Sequence, residues 1–120
     1  MDCAFCNVKE NILQNELAFA IYDKYPVTSG HMLLIPFRHF SGYFEATLEE
    51  REALHGLLSV CKEFLDAKYR PDGYNIGVNC GAAAGQTIWH MHMHLIPRYF
   101  GDIENPAGGV RGVIPDKRIY

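Results

Sequence analysis

The most constraining feature of this sequence is an alternation of histidine and apolar residues over positions 90–95, His-Met-His-Met-His-Leu. Successive side chains of a β-strand point to opposite faces, so the alternation predicts a strand with three imidazoles on one face. Three of the six histidines in the chain fall within this segment, although serine or threonine would suffice for a merely solvated face. The segment therefore predicts a chemical site carried on a half-buried strand.

Two chemical interpretations of the histidine row remain open from these residues. Neighbouring imidazoles could chelate zinc, but His90 and His94 begin ~13 Å apart on a strand, too far to share one ion with bonds of ~2.0–2.1 Å. A neutral imidazole nitrogen is also a good nucleophile near pH 7. The small-residue loop 81–85, followed by Gln86 and Thr87, favours catalysis because its backbone N–H groups could approach a phosphate closely.

The remaining elements follow from apolar periodicity and from turn residues. One amphipathic helix is predicted from Thr47, which forms a capping box with Glu50, to about Tyr69. Short apolar runs bounded by turn residues predict strands at 17–22, 31–35, 74–78 and 88–96. We therefore predict an α+β fold in which a mostly antiparallel sheet packs against one helix.

Length and composition narrow both the organisation and the function. We predict a single domain over residues 1–120, with an N-terminal arm at 1–16 and an irregular tail at 101–120. The formal net charge of -3 argues against a nucleic-acid partner, and no apolar run is long enough to predict a membrane span. The N-terminus lacks the features of a secretory signal, so we expect a cytoplasmic protein whose four cysteines stay reduced.

Three segments together resemble the histidine triad (HIT) superfamily. The segment from Gly85 to Arg98 matches its signature, in which three histidines alternate with apolar residues. The segment from Gly30 to His39 is similar to its Gly-His-x-Leu-Val-x-Pro-x-x-His motif, and residues 74–79 resemble the strand that carries its phosphate-pocket asparagine. The resemblance implies a HIT-like fold, with a five-stranded antiparallel sheet and one long helix, usually assembled as a homodimer.

The resemblance also implies a reaction: a nucleotide, expected to be a purine nucleotide, is cleaved or transferred at its α-phosphate through a covalent nucleotidyl-histidine. The implied substrates are nucleoside polyphosphates, dinucleoside polyphosphates or phosphoramidates, and the chemistry needs no cofactor. His92 is the implied nucleophile, His94 the phosphate donor and His31 a buttress of the row. Contacts to the ribose, the phosphate and the leaving group are implied for Asp23, Asn79, Gln86 and Thr87.

A second candidate site begins at the cysteine pair Cys3 and Cys6. From its spacing alone, such a pair fits either a redox motif or half of a zinc site. Some branches of the HIT superfamily complete the site with two histidines, which the resemblance places at His39 and His90. A set of two cysteines and two histidines is closed to water, so the implied role is one structural Zn²⁺ per chain.

Two other classes of function are retained as alternatives. One is a non-catalytic module that binds or senses nucleotides, and the other is a metal-dependent hydrolase that uses the histidine row. An intact His92 beside Gln86 and Thr87 favours an enzyme, since a pure binder needs no nucleophile. Metal removal separates the two hydrolases, because it should abolish metal-dependent chemistry and leave a nucleotidyl-histidine route chemically intact.

Overall fold

A computed structural model, which describes residues 3–120, shows five strands in one antiparallel sheet with the spatial order β1-β2-β3-β5-β4. The strands and the α-helix are β1 (Leu13–Gln14), β2 (Ala18–Tyr22), β3 (Met32–Pro36), α1 (Leu48–Tyr69), β4 (Gly73–Gly77) and β5 (Met93–Arg98). Short 3-10 helices cover Tyr43–Glu45, Ala82–Ala84, Gly109–Val113 and Pro115–Lys117. The predicted α+β class, with five antiparallel strands and a long helix, is confirmed.

The strand register aligns a row of residues across one face of the sheet. Ile21 of β2 pairs with Leu33 of β3, Leu33 pairs with His94 of β5, and His94 pairs with Gly77 of β4. Residues directly opposite one another in neighbouring strands share a face. This face therefore carries His94 at its centre, with β3 on one side and the edge strand β4 on the other.

Helix α1 begins and ends where its sequence predicts. The Thr47 side chain accepts a hydrogen bond from the Glu50 backbone N–H, and the Glu50 carboxylate accepts from the Thr47 N–H. The helix stops at Arg70, which takes a left-handed conformation with φ of 51° and is followed by Pro71. Its buried apolar positions are Leu54, Leu57, Cys61 and Leu65.

The two faces of the sheet are buried to different extents. The face that packs on α1 contributes Met32, Leu34 and Leu95 to the larger core cluster. The opposite face has a smaller cluster, formed by Phe5, Phe19, Leu33 and Ile35. That smaller cluster leaves room for a site on the face that carries His94. None of the helices within residues 3–120 is long and apolar enough to cross a membrane.

The last strand starts later than its sequence predicts. The apolar alternation predicted a strand over 88–96, but β5 begins at Met93. The Met91 N–H donates to the carbonyl of Phe40, in the loop after β3, so the chain before Met93 is held outside the ladder. Side-chain alternation predicts the face of a residue but not whether a backbone partner lies beside it: β4 ends at Gly77, opposite His94, and β3 pairs with β5 only as far as Leu34 and Met93.

Two prolines belong to strands: Pro36 is the last residue of β3, and Pro97 is the last but one of β5. β3 includes Pro36, and β5 runs through Pro97, whose carbonyl accepts from the hydroxyl of Thr28 in the turn before β3. The N–H and C=O groups of one strand residue point to the same side, so the donor that Pro97 lacks would face this turn and not a strand. The strands predicted at 17–22, 31–35 and 74–78 correspond to β2, β3 and β4 and are confirmed to within one residue at either end.

The tail is more ordered than its glycine and proline content predicts. We call residues 105–118 the C-terminal clasp, because the Arg118 guanidinium donates to the carbonyls of both Asn105 and Ala107. Gly108 has a φ of 86°, and a Cβ there would lie 1.9 Å from the Arg118 carbonyl oxygen. The clasp packs against β4 and so borders the face that carries the histidines.

Candidate active site

Two of the three histidines predicted on one face lie at a cavity opposite α1. His94 is in β5, and His92 directly precedes that strand. Both border a cavity of about 250 Å³, which we call the triad cavity. Its other lining residues are Phe5, Asp23, Tyr25, Leu33, Asn79, Gly85, Thr87 and Ile88. The predicted common face does not extend to His90, whose Nδ1 faces the sulfurs of Cys3 and Cys6 and whose Nε2 faces the Pro36 carbonyl.

A backbone carbonyl sets the tautomer of His92. Its Nδ1 lies 2.9 Å from the carbonyl oxygen of His90. A carbonyl oxygen only accepts hydrogen bonds, so Nδ1 carries the proton and Nε2 of a neutral imidazole keeps its lone pair. The Phe5 ring packs edge-on against this imidazole, with ring centroids 5.0 Å apart. His92 is thus fixed in the form that a nitrogen nucleophile requires.

A backbone amide sets the tautomers of His31 and His94 in the same way. The Val27 N–H donates to Nδ1 of His31 at 3.0 Å, so the proton of a neutral His31 is on Nε2. That Nε2–H donates to Nδ1 of His94 at 2.9 Å. The remaining proton of His94 is therefore on Nε2, where it provides a donor on the side of the ring away from His31.

Burial keeps this histidine pair neutral. Desolvation lowers the pKa of His31, and the Asp23 carboxylate opposes that shift. Desolvation also lowers the pKa of His94, and repulsion from His92 and His31 lowers it further. A neutral His94 donates from one nitrogen only, so the hydrogen bond from His31 decides which nitrogen it is.

Asp23, predicted to bind ribose hydroxyls, lies at the border between a turn and the triad cavity. Its Oδ1 accepts from the Tyr25 N–H at 2.9 Å, as an aspartate that begins a turn commonly does. Its Oδ2 is 3.5 Å from Nε2 of His31, and the residue also lines the cavity. Asp23 therefore begins a turn and also borders the cavity.

The structure separates the three polar residues that the sequence grouped as phosphate contacts. Thr87 and Asn79 line the triad cavity. Gln86 is buried and hydrogen-bonded internally: its Oε1 accepts from the Gly81 N–H, and its Nε2 donates to the carbonyls of Ser41 and Ile88. Gln86 thus ties the loop after β4 to the loop after β3, and Thr87 is held at the cavity as a result.

Sequence reasoning missed the apolar wall of the cavity and the backbone groups that set the tautomers. Leu33 could have been found, because it lies two residues after His31 in a predicted strand and so shares its face. Phe5 carried a weaker signal, as an aromatic residue between the two cysteines. The Val27 N–H carried no signal, since its role depends on the path of a turn.

The four residues predicted to bind metal converge beside the triad cavity. The ligand atoms of Cys3, Cys6, His39 and His90 all lie within 4.8 Å of one another. The Nδ1 atoms of His39 and His90 are 3.1 Å apart, and the sulfur–nitrogen distances are 3.2, 3.4 and 3.5 Å. Tetrahedral Zn²⁺ with bonds of ~2.0–2.3 Å places neighbouring ligand atoms roughly 3.3–3.8 Å apart.

The tautomer of His90 suits metal binding. Its Nε2 lies 2.8 Å from the carbonyl oxygen of Pro36, so Nε2 carries the proton and the Nδ1 lone pair faces the two sulfurs. Such a hydrogen bond on the far nitrogen commonly orients a ligating histidine. The residues present therefore fit one tetrahedrally bound cation. The same residue, through its carbonyl, orients the nucleophile candidate His92.

A second cluster of possible ligands, Asp23, His31 and His94, is accounted for without a metal. Both ring nitrogens of His31 are engaged, one accepting from Val27 and the other facing His94. A direct hydrogen bond of 2.9 Å between the two imidazoles leaves no lone pair on His31 for a cation. This geometry disfavours a metal hydrolase built on the histidine row.

The antiparallel sheet, the helix packed on one of its faces, and His92 and His94 at the other face together define a HIT-type protein. The HIT domain model matches residues 7–101, so the chain belongs to the HIT family. A HIT-like protein from Mycoplasma pneumoniae is 38% identical over 104 residues, which is 82% of this chain and 72% of the relative.

Two further matches bear on chemistry and metal binding. AP-4-A phosphorylase from Mycobacterium tuberculosis is 30% identical over 92 residues, which is 76% of this chain but 47% of that protein. The crystal structure of a Zn-bound histidine triad family protein from Mycobacterium smegmatis superposes with a TM-score of 0.78 at 30% identity, covering 88% of this chain and 81% of the other. The chain is therefore similar both to a nucleotide-processing enzyme and to a zinc-containing structure.

Proposed function

We propose that this chain is a nucleotidyl hydrolase or transferase that cleaves its substrate at the α-phosphate. The observation that carries the proposal is the Nε2 lone pair of His92, fixed by the His90 carbonyl at the border of the triad cavity. A relative named AP-4-A phosphorylase supports a nucleotide substrate. We propose a purine nucleotide as the substrate, and nucleoside polyphosphates, dinucleoside polyphosphates and phosphoramidates all present the required phosphorus.

In the first step, the lone pair of His92 Nε2 attacks the α-phosphorus, and the bond from phosphorus to the leaving group breaks. The leaving group takes the bonding electron pair, and a nucleotidyl-histidine remains. His94 donates from Nε2–H to a phosphate oxygen, with its tautomer held by His31. Asp23 accepts from ribose hydroxyls, while Asn79 and Thr87 donate to the phosphate. In the second step, water or another acceptor attacks the same phosphorus and frees His92.

We propose a structural Zn²⁺ held by Cys3, Cys6, His39 and His90. It supplies no reacting atom, because four protein ligands close a tetrahedral site. Its effect is to fix the N-terminal arm, which carries Phe5 against the ring of His92. The convergence of four ligand atoms at near-tetrahedral spacing supports this site, as does the Zn-bound relative of similar fold.

We propose a homodimer formed through β4. This strand lies at the edge of the sheet, and its five residues have no partner on the outer side among those described. Ile76, on the face turned toward α1, is 49% exposed beside that edge. An unpaired edge flanked by apolar surface favours pairing with a second copy. Light scattering over a range of concentrations tests this assembly.

The covalent route predicts where solvent oxygen appears. With oxygen-labelled water and a diadenosine polyphosphate, the label should enter the nucleoside monophosphate, with net retention at phosphorus after two in-line displacements. Rapid quenching should trap nucleotide on His92. His92→Asn should lower kcat by several powers of ten and preserve nucleotide binding. Label in the departing fragment, or inversion at phosphorus, contradicts the proposal, whereas binding without turnover in the wild type favours a sensing module.

A further inference from the structure

Two neutral imidazoles joined by one hydrogen bond can arrange their protons in two ways. In the first arrangement, His31 donates from Nε2 to Nδ1 of His94, and His94 carries its own proton on Nε2. In the second, both rings carry the proton on Nδ1, so His94 donates to His31 and its Nε2 is an unprotonated acceptor. Only the first arrangement offers a donor to the phosphate, so the proposed reaction depends on the contacts that select it.

Two groups beside His31 select the first arrangement. The Val27 N–H lies 3.0 Å from Nδ1 of His31, and an N–H group can only donate, so this nitrogen keeps its lone pair. The Asp23 carboxylate favours a proton on Nε2 of His31, but at 3.5 Å it is farther away than an ordinary hydrogen-bond partner. The main-chain amide is therefore the stronger of the two influences on the proton.

The Val27 amide belongs to an exposed turn between β2 and β3, residues 25–29, which we call the buttress turn. Tyr25 and Val27 are 79% and 69% exposed, so burial of their apolar surface does little to hold this turn. The His31 N–H donates to the carbonyl of Thr28 at 3.2 Å, which closes the turn on the side of β3. The position of the amide thus depends on polar contacts that the turn makes elsewhere.

Two side-chain hydrogen bonds tie the buttress turn to the end of β5. The Thr28 hydroxyl donates to the carbonyl of Pro97, and the Tyr99 hydroxyl donates to the carbonyl of Ser29 at 2.7 Å. The ladder between β3 and β5 has ended before this point, so the two hydroxyls continue the contact between these parts of the chain. Thr28 directly follows Val27, so this anchor lies one residue from the amide that sets the tautomers.

We infer that Thr28 and Tyr99 are positioning residues for the proposed reaction. By holding the buttress turn against β5, they keep the Val27 N–H on His31 and thereby keep the proton of His94 on Nε2. Neither residue lines the triad cavity, so each acts through the imidazole pair and not on the substrate. The inference rests on the proposed function, in which His94 donates to a phosphate oxygen.

Nitrogen NMR of the histidine side chains tests the inference without turnover. At about pH 8, above the ordinary histidine pKa, the protonated and unprotonated nitrogens of a neutral imidazole give well-separated signals. Thr28→Val removes the hydroxyl and preserves the branched shape, so the two nitrogen signals of His94 should move toward each other as the second arrangement becomes populated. Tyr99→Phe should move them in the same direction, and Thr28→Ser, which retains a hydroxyl, should leave them close to their wild-type positions.

Turnover of a diadenosine polyphosphate provides the second readout. We expect Thr28→Val to lower kcat about three- to tenfold with little change in KM, as the partial loss of one hydrogen bond implies, and Thr28→Ser to retain most of the activity. Thr47→Val is the matched control, because it removes the hydroxyl that caps α1. It should lower Tm and leave both the His94 signals and kcat unchanged.

The two readouts separate failure of the inference from failure of the proposed function. Unmoved His94 signals in folded Thr28→Val and Tyr99→Phe overturn the inference, and so does an equal movement in Thr47→Val. Moved signals with an unchanged kcat uphold the control of the proton by the buttress turn, and they overturn instead the role of His94 as phosphate donor. If no nucleotidyl-enzyme is trapped, the NMR signals still decide whether Thr28 and Tyr99 position the proton.

Discussion

At the scale of single residues, three histidines depend on backbone groups for the position of one proton each. His92 is oriented by the carbonyl of His90, and His31 by the N–H of Val27. His94 then depends on His31, because it receives its hydrogen bond from that ring. The proposed catalytic roles therefore depend, directly or through His31, on main-chain hydrogen bonds. A single substitution can test each role.

Replacing His31 with phenylalanine tests the tautomer of His94. His31→Phe leaves Nδ1 of His94 without its donor, so the proton is no longer held on Nε2 and the phosphate loses a committed hydrogen bond. We expect kcat to fall about 10- to 100-fold, which corresponds to the loss of one such bond, with a smaller change in KM. His55→Phe, at an exposed position of α1, is the control. An unchanged kcat with a raised KM would show that His31 serves binding alone.

The sequence predicted which histidines lie close together, but it did not predict the hydrogen bonds that orient the side chains around them. Alternation in predicted strands placed His92 and His94 on one face, and the structure brings both to the triad cavity. Alternation gave no indication that the Gln86 side chain forms hydrogen bonds with three backbone groups, because those groups belong to two different loops. Side-chain alternation therefore predicted that His92 and His94 share a cavity, whereas the path of the loops determined the hydrogen bonds of Gln86.

At the scale of elements, the N-terminal arm is fixed by the proposed metal site. Cys3→Ser should lower the zinc content from about one per chain and should lower Tm by at least about 5 °C, because a structural site contributes folding free energy. Cys80→Ser is a matched control, since this cysteine is outside the four-residue cluster. Elemental analysis and calorimetry on the same samples make the comparison. Full zinc content in Cys3→Ser would refute the ligand assignment.

The C-terminal clasp offers a second test at this scale. Gly108→Ala combines a φ of 86° with a Cβ placed 1.9 Å from the Arg118 carbonyl oxygen, so the clasp must open. We expect faster proteolysis within residues 105–118 and a small change in global Tm. Gly56→Ala is the control, because nothing lies within 4 Å of its Cβ and alanine favours a helix by up to about 1 kcal/mol. Unchanged proteolysis in Gly108→Ala would show that the clasp tolerates the side chain.

Elements with strong local signals were predicted more accurately than those fixed by distant contacts. Helix α1 has its cap, its apolar face and its stop within its own sequence. The clasp was predicted as an irregular tail, because its order comes from Arg118 reaching carbonyls 11 and 13 residues earlier. The predicted start of β5 was wrong for the same reason, since the chain before Met93 is held by a hydrogen bond from the Met91 N–H to the distant Phe40 carbonyl.

At the scale of the whole molecule, the buried histidine pair links folding stability to pH. Burial lowers the pKa of His31 and His94 below the unfolded value of about 6.5. Between the lowered and the unfolded pKa, the unfolded chain binds more protons than the folded one, so stability falls as pH falls through that window. Each imidazole contributes a slope of at most about 1.4 kcal/mol per pH unit.

Urea unfolding between about pH 8 and pH 5, with zinc held in excess, measures this slope. We expect the free energy of unfolding to be nearly constant above the unfolded pKa and to decline below it. His94→Gln removes one of the two titrating groups, so its curve should be flatter than that of the wild type over the same window. His55→Gln, which removes an exposed histidine from α1, controls for the loss of an imidazole as such. A wild-type curve as flat as that of His94→Gln would mean that folding does not lower the pKa of His94, and the argument that burial keeps His94 neutral would then be wrong.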